Sequence, residues 1–421
     1  MVELKIIKKI QDAISNENIL DMLDGDVLPK KTITDYEDYF KDLKYTLLGN
    51  GALFLVNDST NEIRQHYDNT YQKTINYDKF IKSQESKQNY FDNKNIQYEL
   101  FVVPDKSILL QEKLPFKTNY PKRHIDYLLD VACDLLEVLD EKDTDVTDTL
   151  INREAGIKIT AFILSRLHDE EDSDYYLEQL FNRLNIETID NYKGDLLSDK
   201  NWSYTDDKEL KEELHISTKN VTLIEDKTIN LKEEIPEEFK ICNTRASEHI
   251  KNPKSMTDKK LLILGDASSQ RVIIPLEAYY GEVFYYNDCR YFNEDLINWY
   301  KPDDVIEIIT ERYLDTAYCP IINEEVIQLP VIDDINMEIK NGKLNINARF
   351  NDLRNIPAKG VCMLYINKQL VDQRDTDGTY TKQYTLENFG DKIEVVLKLK
   401  SGISTKKNVV VYKKYIRPTK I

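Results

Sequence analysis

A continuous apolar run, Leu261-Leu262-Ile263-Leu264, ends in the turn Gly265-Asp266-Ala267-Ser268-Ser269 and precedes helical spacing from Val272 to Tyr280. Where a strand gives way to a helix, exposed backbone N–H groups can hold an anion, or the oxyanion that develops in acyl transfer. Asp266 stands where a helix-capping carboxylate is favoured, and Ser268 and Ser269 add hydroxyls to the same turn. Asn287-Asp288 follows a second strand-like run, Val283–Tyr286, where an oxyanion-hole or orienting group could sit, although a plain turn is the simpler reading. Arg290 and the pair Glu311-Arg312 could meet an acidic polymer; internal salt bridges are the commoner use of such residues. Asp375-Thr376-Asp377-Gly378 has half the ligands of a Ca²⁺ loop and reads as a hairpin turn.

Metal and redox chemistry find little support. The five cysteines (Cys133, Cys242, Cys289, Cys319 and Cys362) are scattered singly, which suits free thiols better than a disulfide framework. The five histidines (His66, His124, His168, His215 and His249) include no pair at zinc-ligand spacing. Acidic runs such as Asp169-Glu170-Glu171-Asp172 read as solvated faces. No metal and no cofactor is expected.

The elements that would position the turn follow from periodicity. The chain has 421 residues with 57 Lys+Arg against 75 Asp+Glu, a formal charge of −18 and a hydrophobic fraction of 41%. That length allows two or three domains at roughly 100–200 residues each. The acidity (pI about 4.9) argues against a general nucleic-acid binder or an anionic-lipid binder. No stretch approaches the ~20 apolar residues of a membrane span, and the first ten residues lack a signal-peptide apolar core; a cytoplasmic location is the expectation.

Residues 1–40 read as a helical extension. Ala52–Val56 and Tyr98–Val103 read as strands, and the second stops at Pro104. Between 123 and 140, Ile125, Leu128, Leu129, Ala132, Leu135, Leu136 and Leu139 are spaced as one apolar helix face. Residues 156–167 are a mainly apolar run, Tyr175–Leu184 an amphipathic helix, and 190–258 a polar stretch of long loops or a cap-like insertion. Strand- and helix-like runs then alternate to Val305–Ile309. Continuous apolar strands alternating with helices imply an α/β fold with a parallel sheet covered on both faces. From about 331 the period becomes two: Leu344, Ile346, Ala348 and Phe350 alternate with polar neighbours, as do Ile393, Val395, Leu397 and Leu399. With Asn341-Gly342 and Asp377-Gly378 as turns, residues 331–421 read as an all-β, Ig-sized sandwich.

Several segments between about 45 and 315 stand in the order of a known family. They are Leu48-Gly49-Asn50-Gly51-Ala52-Leu53-Phe54-Leu55, Val102-Val103-Pro104-Asp105-Lys106, Gly194-Asp195-Leu196, Leu262-Ile263-Leu264-Gly265-Asp266, and Lys301-Pro302-Asp303-Asp304-Val305 running to Glu311-Arg312. On these segments, residues 41–325 resemble the SGNH-hydrolase-like domain of the alginate O-acetyltransferase (AlgX/AlgJ) type. The resemblance implies a Ser nucleophile in a Gly-Asp-Ser turn, with Asp and His from an upstream Asp-x-His element. In such a site His takes the hydroxyl proton, Asp orients the imidazole, and N–H groups stabilise the oxyanion.

Here the nucleophile position is Ala267, whose methyl has no lone pair to attack with. One alignment puts the upstream element at Arg166-Leu167-His168, after a strand Phe162-Ile163-Leu164, so that His168 is kept and Arg166 replaces Asp. A guanidinium cannot accept the imidazole N–H. A second alignment, at Ala161-Phe162-Ile163, loses both members. His168 is equally readable as a surface histidine beside its acidic run.

Three explanations stand side by side: a natural pseudo-enzyme, a serine replaced by alanine in this sequence, or displaced chemistry on Ser268 or Ser269. What the resemblance implies is a catalytically degenerate relative of polysaccharide O-acetyltransferases or esterases. It would bind a surface polysaccharide or teichoic-acid-type polymer, or the enzymes that make one. The alternatives are an active O-acetyltransferase or acetylesterase, and a structural interaction module.

Overall fold

The computed structural model describes residues 30–32, 36–58, 60–119, 122–168, 171–204, 216–236, 247–286, 294–314, 331–340, 343–351, 357, 359–367, 369–385, 393–401 and 409–416. The helical expectation for residues 1–29, the turn at Asn341-Gly342, and Asn287, Asp288 and Arg290 fall outside them.

Strands β1 (Thr46–Leu48) and β2 (Leu53–Leu55) pair only with each other, so the apolar Ala52–Val56 run forms a hairpin beside the main sheet rather than a strand within it. The main sheet holds β3 (Gln97–Val103) and β4 (Cys133–Asp134). A separate two-stranded ribbon, β5 (Leu184–Tyr192) with β6 (Ile216–Leu223), occupies part of the stretch expected to be loops. β7 (Ile229–Asn230), β8 (Glu248–Lys251), β9 (Lys260–Gly265), β10 (Glu282–Tyr286) and β11 (Asp304–Thr310) complete the main sheet. Its order is β4-β3-β11-β9-β10-β8-β7. The first five strands are mutually parallel, while β8 and β7 are added antiparallel at one edge.

The continuous apolar strands divide their side chains between two cores, as period-two geometry requires. Leu261 and Ile263 of β9, Phe101 and Val103 of β3, and Ile306 and Ile308 of β11 face one. Leu262 and Leu264, Leu100 and Val102, and Val305 and Ile309 face the other. Each such side chain contributes about 1.5–3 kcal/mol by leaving water. The first core is covered by the helices Arg153–Leu167, Ser173–Phe181 and Ile273–Tyr279. The second lies under Tyr77–Asp92 and Glu294–Tyr300. Inside the second core Lys87 Nζ reaches Glu307 Oε1 and Oε2 at 2.6 and 2.8 Å, a fully buried pair that ties the first of these helices to β11.

Two expectations are corrected. Residues 123–140 do not form a helix. They contain the short 3₁₀ turns Ile125–Tyr127 and Leu135–Glu137 on either side of β4. Ile125, Leu128 and Ala132 enter one core while Leu135 and Leu139 enter the other, and a single helix face could not serve both sides of a sheet. Conversely, Phe162-Ile163-Leu164 is not a strand but part of the helix Arg153–Leu167, capped by Asn152, whose side chain accepts the Ala155 N–H at 2.8 Å. That helix is buried on so many faces that its period is blurred in the sequence.

β12 (Val331–Lys340), β13 (Lys343–Asn351), β14 (Lys359–Ile366), β15 (Gln369–Asp377), β16 (Thr379–Thr385), β17 (Ile393–Ser401) and β18 (Val409–Ile416) form two antiparallel sheets, β12-β13-β16 and β15-β14-β17-β18. Leu344, Ile346, Ala348 and Phe350 pack against Cys362, Leu364, Ile393, Val395, Leu397 and Leu399. Asp377-Gly378 is the turn between β15 and β16. The fold class is therefore α/β, a mostly parallel sheet flanked by helices, followed by an all-β sandwich. Among the described residues, no helix is long and apolar enough to cross a membrane.

Candidate functional site

β9 delivers the turn to the carboxyl edge of the parallel strands, where ligands of open α/β sheets bind. Gly265 ends the strand under close contact. A Cβ built there would lie 1.9 Å from Ser269 Oγ and 2.9 Å from the Ile308 carbonyl oxygen, so no other residue fits without movement. Asp266 is spent on the backbone. Its Oδ1 accepts the Ser268 N–H (2.9 Å) and hydroxyl (2.5 Å), and its Oδ2 accepts the Thr310 N–H (2.7 Å). Its carbonyl accepts the Tyr285 hydroxyl at 2.6 Å. The carboxylate thus fastens the turn Ala267–Arg271 to the end of β11. Ser268 and Ser269 are buried and Ser269 Oγ reaches the Ile308 carbonyl at 3.3 Å, whereas Ala267 is exposed.

The segment opposite the turn is Asp145–Ile151. Leu150 and Ile151 line a small cavity together with Ser268 and Thr310. Asp148 Oδ2 accepts from the Tyr192 hydroxyl and from Arg271 Nη2 (3.2 Å), while Oδ1 accepts the Leu150 N–H (3.2 Å). Burial raises the Asp148 pKa, but the Tyr192 hydroxyl and the Arg271 charge outweigh it, and the net shift is downward. Arg271 Nε donates to the Ile151 carbonyl at 2.9 Å. The helix behind can come this near because residue 156 is glycine: a Cβ there would lie 2.0 Å from the Arg271 carbonyl oxygen.

Beneath this segment, Lys106 Nζ donates to the carbonyls of Asp145 and Asp148, both at 2.8 Å. Burial lowers its pKa to about 7, against the opposing pull of Asp148, Asp145 and Asp195. Asp195 accepts the Thr149 N–H and hydroxyl at 2.8 and 2.7 Å, and burial with the neighbouring Asp148 charge raises its pKa.

This geometry revises the alignment of the upstream element. Arg166 and His168 lie at the C-terminal end of the helix Arg153–Leu167, at the amino edge of the sheet. His168 Nε2 stands 3.3 Å from the Tyr280 hydroxyl and 3.5 Å from Asp304 Oδ2. Asp304 pairs with Leu261, and the turn begins beyond Gly265. Four residues of strand separate these levels, roughly 13 Å. Arg166 Nη2 bonds Glu99 Oε1 at 2.6 Å and is half-exposed. Neither residue meets Ala267.

What the fold brings to the turn is Asp148-Thr149-Leu150, which has the Asp-x-His spacing with Asp kept and Leu in the place of His. That spacing, just before the capped helix beginning at Arg153, was the available signal. Lys106, Arg271 and Thr310 carried none, since only folding makes them neighbours. No histidine is among the described residues lining the cavity at this turn. His215 lies outside the described residues.

Glu311 and Arg312 face inward. Arg123 Nη2 bonds Glu311 Oε2 at 2.6 Å, and Arg312 Nη1 bonds Asp105 Oδ1 at 3.0 Å. Glu62 lies beside them, buried, taking the Ser107 hydroxyl at 2.6 Å. Burial pushes the acids Glu62 and Glu311 up to about 7 and Asp105 to about 8. Among the described residues no group of side chains could hold a metal ion.

No protein-family model matches the chain, and no curated protein does either. Solved structures are similar in part. Bacillus cereus PatB1 with a sulfonyl adduct is 11% identical, with a TM-score of 0.45, over 64% of this chain and 97% of that one. A DHHW family protein from Eubacterium siraeum is 12% identical, with a TM-score of 0.37, over 56% and 86%. The O-acetyltransferase domain of Pseudomonas putida AlgJ is 14% identical, with a TM-score of 0.37, over 64% and 92%.

Proposed function

We propose that this chain is a catalytically silent member of the SGNH/O-acetyltransferase type. It binds a surface polysaccharide or teichoic-acid-type polymer, or its biosynthetic enzymes, where its relatives in chemistry would transform the polymer. The observation that carries this reading is the pairing of Ala267 with Leu150 across one cavity. The position that would attack has a methyl, and the position that would take its proton has an isobutyl group. Asp148, which would orient the imidazole, is engaged by Tyr192 and Arg271 instead. The turn that would hold the oxyanion is nonetheless kept in shape by Gly265 and Asp266. The polymer context rests on the resemblance of the segments quoted above.

The test is acetate release from an acetyl ester by the parent, by Ala267→Ser, and by Ala267→Ser/Leu150→His. The parent is expected to be inactive, and the double variant to be the most active of the three. A parent as fast as the double variant would overturn the reading. Turnover by Ala267→Ser alone would support an enzyme whose serine is replaced in this sequence.

A further inference from the structure

We infer that the cavity beside Ala267 receives the methyl of an acetyl ester and holds that ester uncleaved, so that the site recognises O-acetylated ligands and excludes longer acyl groups. This rests on the reading of the site as catalytically silent.

The cavity has a volume of about 10 Å³, room for roughly one water. A methyl is close to water in size and enters such a space with slight give. Each further methylene would have to displace packed side chains, at about 1–3 kcal/mol. Val103, Pro104, Leu150 and Ile151 supply apolar wall, which suits a methyl better than a water needing several polar partners.

Thr310 also lines this space. Its Oγ1 is buried and has no hydrogen-bond partner among the described residues. A buried hydroxyl left in that state is costly unless something arrives to accept from it. The carbonyl oxygen of an ester whose methyl fills the cavity is such an acceptor. Ala267, exposed on the same turn, lets the ester approach and offers nothing that could attack it. No bond forms or breaks.

The experiment is ligand-observed NMR on the full chain with methyl 6-O-acetyl-α-D-glucopyranoside, its 6-O-butyryl counterpart and the unesterified glucoside. Saturation is expected at the acetyl methyl, with little at the other two sugars. Thr310→Val, close in volume and removing no existing hydrogen bond, is expected to weaken acetyl binding about fivefold while leaving the melting temperature unchanged or raised. Leu150→Ala is expected to admit the butyryl ester.

Equal binding of the acetyl and butyryl sugars overturns the inference, as does unaltered acetyl binding by Thr310→Val. Binding of none of the three leaves an internal water as the occupant and overturns it too. Free acetate appearing in the parent's spectra would overturn the underlying reading of a silent site, and uncleaved capture with it, which separates the two failures.

Discussion

Arg271 Nη2 stands 3.2 Å from Asp148 Oδ2, with the two side chains 11% and 6% exposed. The guanidinium therefore neutralises the carboxylate that a catalytic imidazole would otherwise claim, and its Nε holds the Ile151 carbonyl as well. Removing one member of a buried pair leaves the other charge uncompensated. Arg271→Ala is expected to cost roughly 3 kcal/mol, read from urea unfolding at pH 7. A loss below about 1 kcal/mol would mean that the pair is solvated in practice.

Arg166 offers the contrasting case. Its pair with Glu99 is half-exposed, and such pairs contribute little. Arg166→Ala should change stability by less than about 1 kcal/mol in the same measurement. A larger loss would give that edge of the sheet a structural weight that its exposure does not predict.

Glu62 sets a pH dependence. Burial holds its folded-state pKa at about 7, above the ordinary 4.5. Between those values the unfolded chain has lost a proton that the folded chain keeps, so this group's contribution falls as pH rises and levels off above 7. Glu62→Gln keeps an acceptor for Ser107 and removes the titration. The stability of the variant relative to the parent should rise from pH 5 to pH 7, on the order of 2–3 kcal/mol, and then stay flat. Denaturant titrations at three pH values check it; a constant or falling difference contradicts the assignment.

Gly265→Ala forces a Cβ to within 1.9 Å of Ser269 Oγ. Overpacking of this kind should destabilise by roughly 2–3 kcal/mol. Adding Ser269→Ala removes the nearest obstacle but leaves the Ile308 carbonyl at 2.9 Å, so the double variant should recover part of the loss. Full additivity of the two substitutions would place the clash elsewhere.

Much of this architecture was legible in the sequence, and the exceptions have a common cause. Leu261–Leu264, Tyr98–Val103 and Val305–Ile309 read correctly as parallel strands because burial on both faces leaves continuous apolar text. The alternation through Leu344–Phe350 and Ile393–Leu399 read correctly as a sandwich because burial there is one-sided. Residues 123–140 misled because their leucines serve two cores in turn, and three-dimensional alternation imitated a helical period. Phe162–Leu164 misled in the opposite sense, since a helix buried nearly all round has no polar face to mark it. That second error moved the upstream element to His168 and hid Asp148. The spacing of Asp148-Thr149-Leu150 was open to view, but a motif whose imidazole has become leucine has no chemical signature to search for.

The close approaches at Gly265 and Gly156 have an evolutionary corollary. Both are contacts between main chains, so the contour of the pocket is guarded by the requirement to fold at all. The reagents hung on that contour enjoy no such protection: swapping a hydroxyl or an imidazole for a hydrocarbon disturbs no main-chain contact. Drift in such a lineage would strip away reactivity first and leave the outline standing, a mould available for capture once conversion has ceased.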